Sequence, residues 1–245
     1  MIIKEQDFDF NKYLSGEYGG NVIINGSSRN IERFLPKESV QCTITSPPFG
    51  DIKTFLETDN SIEETTENDL YKIKKSSKDN IIELSNLFMK IFDITKNDGT
   101  LWLNSGDSYN EGNWVASILR DKGWYWRKSI ILRKEFHSVI KHYEFMFLLS
   151  KSYKSKYAQL EKDNKTPVGD ILNKTKDLIY KFVCSSTDEG DIVLDPFGLE
   201  NIIGKVTKEI GRNSISIELN PELCIRGDFD SEFIEKKNYK QEELF

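Results

Sequence analysis

Seven short apolar runs of strand composition, separated by segments whose apolar residues recur at helical spacing, confine this chain to an α/β sheet. The runs are Asn21–Asn25, Cys42–Thr45, Thr100–Asn104, Ser129–Leu132, Phe145–Leu149, Asp191–Leu194 and Ser214–Ile217. Helical patterns fall between them at Asn80–Ile94, Asn113–Lys122, Lys174–Cys184 and Glu200–Glu209. In the first of these, Ile81, Leu84, Phe88 and Ile91 share one face. Lys128–Leu132 and Tyr143–Leu149 are close in sequence and read as an antiparallel pair at a sheet edge. Residues 52–79 are polar, acidic and then basic, and read as a mobile surface loop; the polar tail over 227–245 reads as peripheral. At 245 residues, the span 1–245 is expected to be a single domain with a full core.

Charge and composition narrow the function classes. The formal net charge of −6 excludes a strongly cationic coat. Its distribution is uneven. Between Arg127 and Tyr157 stand Arg127, Lys128, Arg133, Lys134, Lys141, Lys151, Lys154 and Lys156, opposed only by Glu135 and Glu144. That window reads either as a solvated basic face or as a surface for nucleic acid. No apolar stretch reaches spanning length and the N-terminus has no signal core, so the expected location is the cytoplasm, with no membrane partner. Cys42, Cys184 and Cys224 have no paired spacing and read as reduced structural thiols. His137 and His142, the only histidines, have no carboxylate cluster around them, so no metal is expected. Trp124 and Trp126 read as packing residues.

The densest local signal is Thr45-Ser46-Pro47-Pro48-Phe49-Gly50, directly after the run Gln41–Thr45. Two prolines remove two donors and set a rigid turn with free carbonyls. In an open α/β sheet such a turn stands at the carboxyl edge, where ligands bind. Further segments follow in order: Gly99–Tyr109 (GTLWLNSGDSY), Gly123–Leu132, Tyr143–Lys151, Gly190–Phe197 (GDIVLDPF) and Ile217–Glu222 (IELNPE). Taken together they resemble the β-class, S-adenosylmethionine-dependent DNA amino-methyltransferases, whose Pro-Pro turn precedes the cofactor strand in a permuted order. Ser46 ahead of the prolines is similar to the N4-cytosine kind; the N6-adenine kind more often has Asp or Asn there.

The resemblance implies a Rossmann-like, doubly wound α/β domain with a seven-stranded, mostly parallel sheet and one antiparallel edge strand. It implies transfer of a methyl group from S-adenosylmethionine to an exocyclic amine of a flipped base in double-stranded DNA, as in restriction–modification. Ser46, Pro47, Pro48 and Phe49 would act on the base: the Ser46 hydroxyl and Pro47 carbonyl would hold the amine hydrogens, and Phe49 would stack on the ring. Asp195, Pro196, Phe197, Gly198, Glu218 and Ser27 would hold the cofactor. Arg127, Lys128, Arg133, Lys134, Lys141, Lys154 and Lys156 would flank the base pocket and meet phosphates. A C5-cytosine enzyme would need a cysteine nucleophile beside a proline, which Cys42 is not.

Three departures from the family pattern stand out. Leu199 and Asn201 occupy two positions where the family has glycine, with Glu200 between them. Ser27 stands where the family usually has Asp. Only about 20 residues separate Lys151 from Lys174, too few for an independent recognition module. These differences keep a second reading open, a catalytically silent subunit that binds DNA or a catalytic partner. Methylation of RNA or a free base is a third reading, and a homodimer is compatible with the first two.

Overall fold

The computed structural model describes residues 1–49, 67–106, 109–133, 143–158, 171–173, 177–199 and 201–227, with backbone alone for 67–77, 109 and 171–173. Its organisation follows from side-chain alternation along the strands. Leu101 and Leu103 go to one core cluster and Trp102 to another; Phe147 parts in the same way from Met146 and Leu148. Both faces of the sheet are therefore apolar and both need helices. The strands are β1 (Ile2–Lys4), β2 (Asn21–Asn25), β3 (Val40–Thr45), β4 (Thr95–Asn104), β5 (Tyr125–Arg133), β6 (Tyr143–Ser150), β7 (Ile171–Asn173), β8 (Ile192–Asp195) and β9 (Asn213–Glu218). The α-helices are α1 (Phe10–Leu14), α2 (Glu67–Ile94), α3 (Tyr109–Asp121), α4 (Asp177–Ser186), α5 (Ile202–Glu209) and α6 (Pro221–Arg226).

The strands form one sheet in the order β1-β2-β9-β8-β3-β4-β6-β5-β7. Every neighbouring pair is parallel except the two made by β6. On one face α2 contributes Ile81, Leu84, Leu87, Phe88 and Ile91, and α3 contributes Val115, Ala116 and Leu119. On the other, α4 brings Leu178, Phe182 and Val183 against Cys42, Ile44 and Trp102. Trp102 anchors that second layer. Its ring stacks on Phe182 at 4.4 Å, meets Tyr157 edge-on at 5.7 Å, and its Nε1 donates to Ser186 Oγ at 2.8 Å. Trp124 is buried against Phe92 and Trp126 packs on Phe147, both as packing residues.

The doubly wound, Rossmann-like class is as expected, and all seven expected strands are present, with β1 and β7 added at the two edges. Each added strand has only three residues, too few for an alternation to register in sequence. The expected antiparallel pair forms, but not at the edge. β6 is inserted between β4 and β5, and β7 pairs with β5 beyond it. Nearness in sequence predicts which strands pair, but not which of the two faces outward. The helix expected to begin at Asn80 begins at Glu67. The described part of the expected 52–79 loop is thus helical. A search for apolar periodicity finds only the buried face of a helix, whereas Lys and Glu support a helix without one. Residues 52–66 and 228–245 lie outside the described residues. Among the described residues no helix is long and apolar enough to cross a membrane, and none form a cluster able to hold a metal ion.

Candidate active site

Parallel register gathers polar residues along one edge of the sheet. Asn25 stands beside Glu218, Asp195 beside Ser216, and Thr45 beside Leu103, so β2, β9, β8, β3 and β4 all end together. A cavity of about 450 Å³ opens at this edge. Its rim holds Ser46 and Asn104 from the ends of β3 and β4, and Asp195, Phe197, Gly198 and Leu199 from the turn after β8. Its wall is apolar: Leu132 and Met146 from the sheet, Leu178 and Phe182 from α4, and Ile202 and Ile203 from α5. The two turns are joined inside the fold. Thr45 Oγ1 donates to Asp195 Oδ1 at 3.0 Å, and the Phe197 N–H donates to the same oxygen at 3.1 Å. The Ser28 hydroxyl donates to the Pro196 carbonyl.

The loop after Asp195 keeps a glycine-like path without the glycines. Leu199 has φ +40° and Asn201 φ +54°, both in the left-handed region. For a side chain with a Cβ this conformation costs roughly 1–2 kcal/mol, less for Asn. Specific bonds hold it in place. The Leu199 N–H donates to Glu218 Oε2 at 2.9 Å, and the Gly198 N–H to the Ile217 carbonyl at 2.8 Å. Asn201 is 1% exposed; its Oδ1 accepts from Ser216 Oγ at 2.5 Å and its Nδ2 donates to the Gly227 carbonyl at 3.0 Å. Room for that carboxamide comes from Gly204, where a Cβ would lie 2.1 Å from Asn201 Oδ1.

Of the residues singled out in sequence, Ser46, Asp195, Phe197 and Gly198 share the cavity, whereas several others are employed elsewhere. Phe49 is 6% exposed and packs in the core cluster shared with α2 and α3, so its ring is not presented to the cavity. Neither Pro47 nor Pro48 is among the lining residues, and Pro47 is buried. Glu218 is 4% exposed, and its two oxygens accept from the Leu199 and Asn220 N–H groups. It clamps the loop rather than facing the cavity. Ser27 caps the short 3-10 helix Ser28–Arg33 by accepting from the Arg29 N–H. Glu200 lies outside the described residues. Sequence reasoning did not single out Asn104 or the apolar wall; the only signal for Asn104 was its place at the end of a strand in the GTLWLNSGDSY segment.

Comparison with known proteins decides the family. The DNA methylase family N6_N4_Mtase matches residues 40–225, well over half of the chain. The chain belongs to this DNA methylase family. Its relatives include the Type II methyltransferase M.Cfr9I of Citrobacter freundii, 28% identical over 84% of this chain and 86% of that protein. Another is the Type II methyltransferase M.SmaI of Serratia marcescens, 27% identical over 82% and 87%. Among solved structures, TTHA0409 of Thermus thermophilus in complex with S-adenosyl-L-methionine superposes with a TM-score of 0.63 at 20% identity, covering 84% of this chain and 92% of that one. The PvuII DNA methyltransferase (cytosine-N4-specific) superposes with a TM-score of 0.59 at 16% identity, covering 91% and 89%. Both share the fold. The methyl donor of the family is S-adenosylmethionine.

The residues of this methylase fit that cofactor. Asp195 is 5% exposed in a mostly apolar wall, and burial pushes its carboxyl up to about 7, only partly offset by the Phe197 N–H and the Thr45 hydroxyl. Ionised, it would place one negative charge on the rim of a largely apolar cavity, a complement to the positive sulfonium of the donor. Without ligand, the folded methylase keeps a proton on Asp195 that the unfolded chain releases above 3.8. The contribution of Asp195 to stability should therefore fall as pH rises from ~4 to ~7 and level off above. Urea midpoints across this range check it: Asp195→Asn should flatten the slope, and an unchanged slope would show that Asp195 does not cause it. Leu199 is 43% exposed and lines the cavity. Leu199→Gly should strengthen S-adenosylmethionine binding by about 1 kcal/mol, roughly fivefold, as measured by calorimetry.

The basic window does not flank the cavity as expected. Arg127 stands near the start of β5, at the end of the sheet away from the site, where its guanidinium donates to Ser150 Oγ at 2.8 Å and the Ser152 carbonyl at 2.9 Å. It also lies 4.9 Å from the centre of the Tyr153 ring. Lys156 bonds the Thr187 carbonyl and Asp188 at that same far end, and Lys154 lies in the nearby turn. Lys128 is half-buried one step further along β5. Among the described cations of this window, Arg133 alone stands at the end of β5 that shares the cavity's side of the sheet, where it is exposed and not part of the lining; Lys134, Lys141, His137 and His142 lie outside the described residues. The physical reason is simple. An antiparallel hairpin traverses the sheet twice, so cations consecutive in sequence are distributed to opposite ends. The three cysteines are buried and free. Burial pushes the Cys42 thiol up to about 12, which leaves no thiolate for C5 chemistry.

Proposed function

We propose that this methylase transfers a methyl group from S-adenosylmethionine to N4 of cytosine in double-stranded DNA. The observation that carries the reading is that Ser46, the residue ahead of the two prolines, opens into the same cavity as Asp195, Phe197 and Gly198. An exocyclic amine is a poor nucleophile because its lone pair is delocalised into the ring. Two acceptors holding its hydrogens, the Ser46 hydroxyl on the cavity rim and the carbonyl of the adjoining Pro47, would favour the geometry in which that lone pair is localised. Proline at positions 47 and 48 keeps competing N–H donors away from those acceptors. The Thr45–Asp195 bond holds the base turn in register with the cofactor turn, so positioning is the main catalytic contribution. S-adenosylmethionine, when bound, supplies the electrophilic methyl. Asp195, Phe197 and Gly198 border its site, and Glu218 holds the loop that closes it.

The amine is paired inside a duplex, so the base must leave the stack to reach the cavity. Phe49 would have to leave its place in the core to stack on that base; in its present position the apolar wall of Leu132, Met146 and Phe182 takes that part. A serine before the prolines, and a structural neighbour described as cytosine-N4-specific, favour cytosine over adenine. The left-handed path of Leu199 and Asn201 argues against a silent subunit, because the loop keeps the shape for which the family uses glycine. Likeness to Type II methyltransferases places this reading within restriction–modification.

The test uses the purified chain, S-adenosylmethionine carrying an isotopically labelled methyl group, and bacterial genomic DNA free of methylation, followed by digestion to nucleosides and mass spectrometry. N4-methylcytosine is the expected product. N6-methyladenine would overturn the choice of base, and no labelled nucleoside would overturn the enzyme reading. RNA and free nucleosides assayed in parallel should remain unlabelled.

A further inference from the structure

Asn104 stands at the carboxyl end of β4, one position beyond the Leu103–Thr45 register pair, which sets it beside Ser46 on the cavity rim. Its carboxamide is held from two sides. Nδ2 donates to Glu144 Oε2 at 3.1 Å, and Oδ1 accepts from the Gly106 N–H at 2.8 Å. Glu144, 5% exposed on β6, can only accept when ionised, and a backbone N–H can only donate. Together they define which end of the carboxamide is nitrogen and which is oxygen. An Asn side chain has two N–H groups and two acceptor sites. One of each is engaged here, which leaves one donor and one acceptor on a planar group already oriented at the rim.

We propose that Asn104 reads the edge of the acceptor base, and that Glu144 is the positioning residue that sets its orientation. The idea rests on the amine-methylation reading above and names a further contact for it. Cytosine and adenine each present an amine beside a ring nitrogen that accepts a hydrogen bond. With the amine at Ser46, the remaining N–H of Asn104 donates to that ring nitrogen. Thymine and guanine carry a carbonyl oxygen beside a ring N–H on the same edge, so donor would face donor. The pair thus selects amino-bearing bases, a task that the apolar wall cannot perform.

The experiment compares two duplexes with the sequence methylated in the genomic assay. One carries the natural target base and the other its deaza analogue, in which carbon replaces the accepting ring nitrogen. For the wild-type protein, kcat/KM should fall by about 10- to 100-fold on the analogue. Asn104→Ala should lose a similar factor on the natural duplex and show no further loss on the analogue. Any change the analogue makes to the intrinsic reactivity of the amine acts on both proteins, so the difference between them isolates the contact. Glu144→Gln should give an intermediate penalty, because Gln can hold the carboxamide in either orientation. S-adenosylmethionine affinity should be unchanged in all variants. Equal analogue penalties in wild type and Asn104→Ala, or no penalty in wild type, would overturn the proposal. If Asn104→Ala fails to fold, Asn104→Ser takes its place in the comparison. Failure of the wild type to methylate the natural duplex would instead overturn the function reading, and this proposal with it.

Discussion

Replacing Ser46 with Ala should reduce the single-turnover rate of methyl transfer by about 100- to 1,000-fold, with S-adenosylmethionine affinity unchanged. In the proposed geometry the hydroxyl is one of the two acceptors for the amine, and the Pro47 carbonyl alone cannot engage both hydrogens. The loss belongs in the rate of the chemical step because the interaction strengthens as the lone pair leaves the ring. Ser46 is exposed at the rim, and the preceding residue, Thr45, carries the link to Asp195, so removing one hydroxyl leaves the fold intact. Ser46→Thr keeps the acceptor and should retain much more activity than Ser46→Ala. Saturating cofactor and a pre-bound duplex separate the chemical step from binding. A rate for Ser46→Ala within a few-fold of wild type would remove Ser46 from the mechanism.

Gly204→Ala should destabilise the protein by about 3 kcal/mol, read as a lower urea midpoint with an unchanged slope. The added Cβ would fall 2.1 Å from Asn201 Oδ1, an atom that cannot simply swing aside. The Asn201 carboxamide is buried and ties the loop to β9 through Ser216 and to the end of α6 through Gly227. Moving it breaks both bonds and releases a residue already held at φ +54°. The double variant Asn201→Gly/Gly204→Ala should recover most of the loss, since glycine suits the left-handed position and Ala is favoured over Gly in the α5 helix by about 1 kcal/mol. The two positions then form a compensating pair with strong non-additivity. Additive effects would show that the loop does not depend on the Asn201 carboxamide. The pair also shows how this methylase keeps its loop without the family glycines: a side chain replaces a glycine, and a glycine on the next helical turn makes room for it.

Short apolar runs and helical stripes were sufficient, from sequence alone, to define an α/β sheet and its seven principal strands, and the paired prolines marked the turn that carries Ser46; the doubly wound order came from the family resemblance. They were sufficient because strands buried on both faces become unbroken apolar runs and helices buried on one face become stripes, and local composition records both. The ordered segments from the Ser-Pro-Pro-Phe turn to Glu218 likewise pointed to the family. Five features required the tertiary structure. The internal place of β6 depends on its pairing with β4, a strand about 40 residues earlier in the chain, on the side away from β5. The burial of Phe49 and the clamp role of Glu218 depend on where a turn and a loop direct their side chains, which motif spacing does not encode. The scattering of the cations around Arg127 and Lys156 follows from a hairpin that crosses the whole sheet. Asn104 acquires a role only because Glu144, 40 residues later in the chain, returns beside it on an antiparallel strand. Sequence determines which elements form because that is decided by local period and propensity. Tertiary structure decides what each side chain faces, because that depends on partners brought together only by the folded sheet.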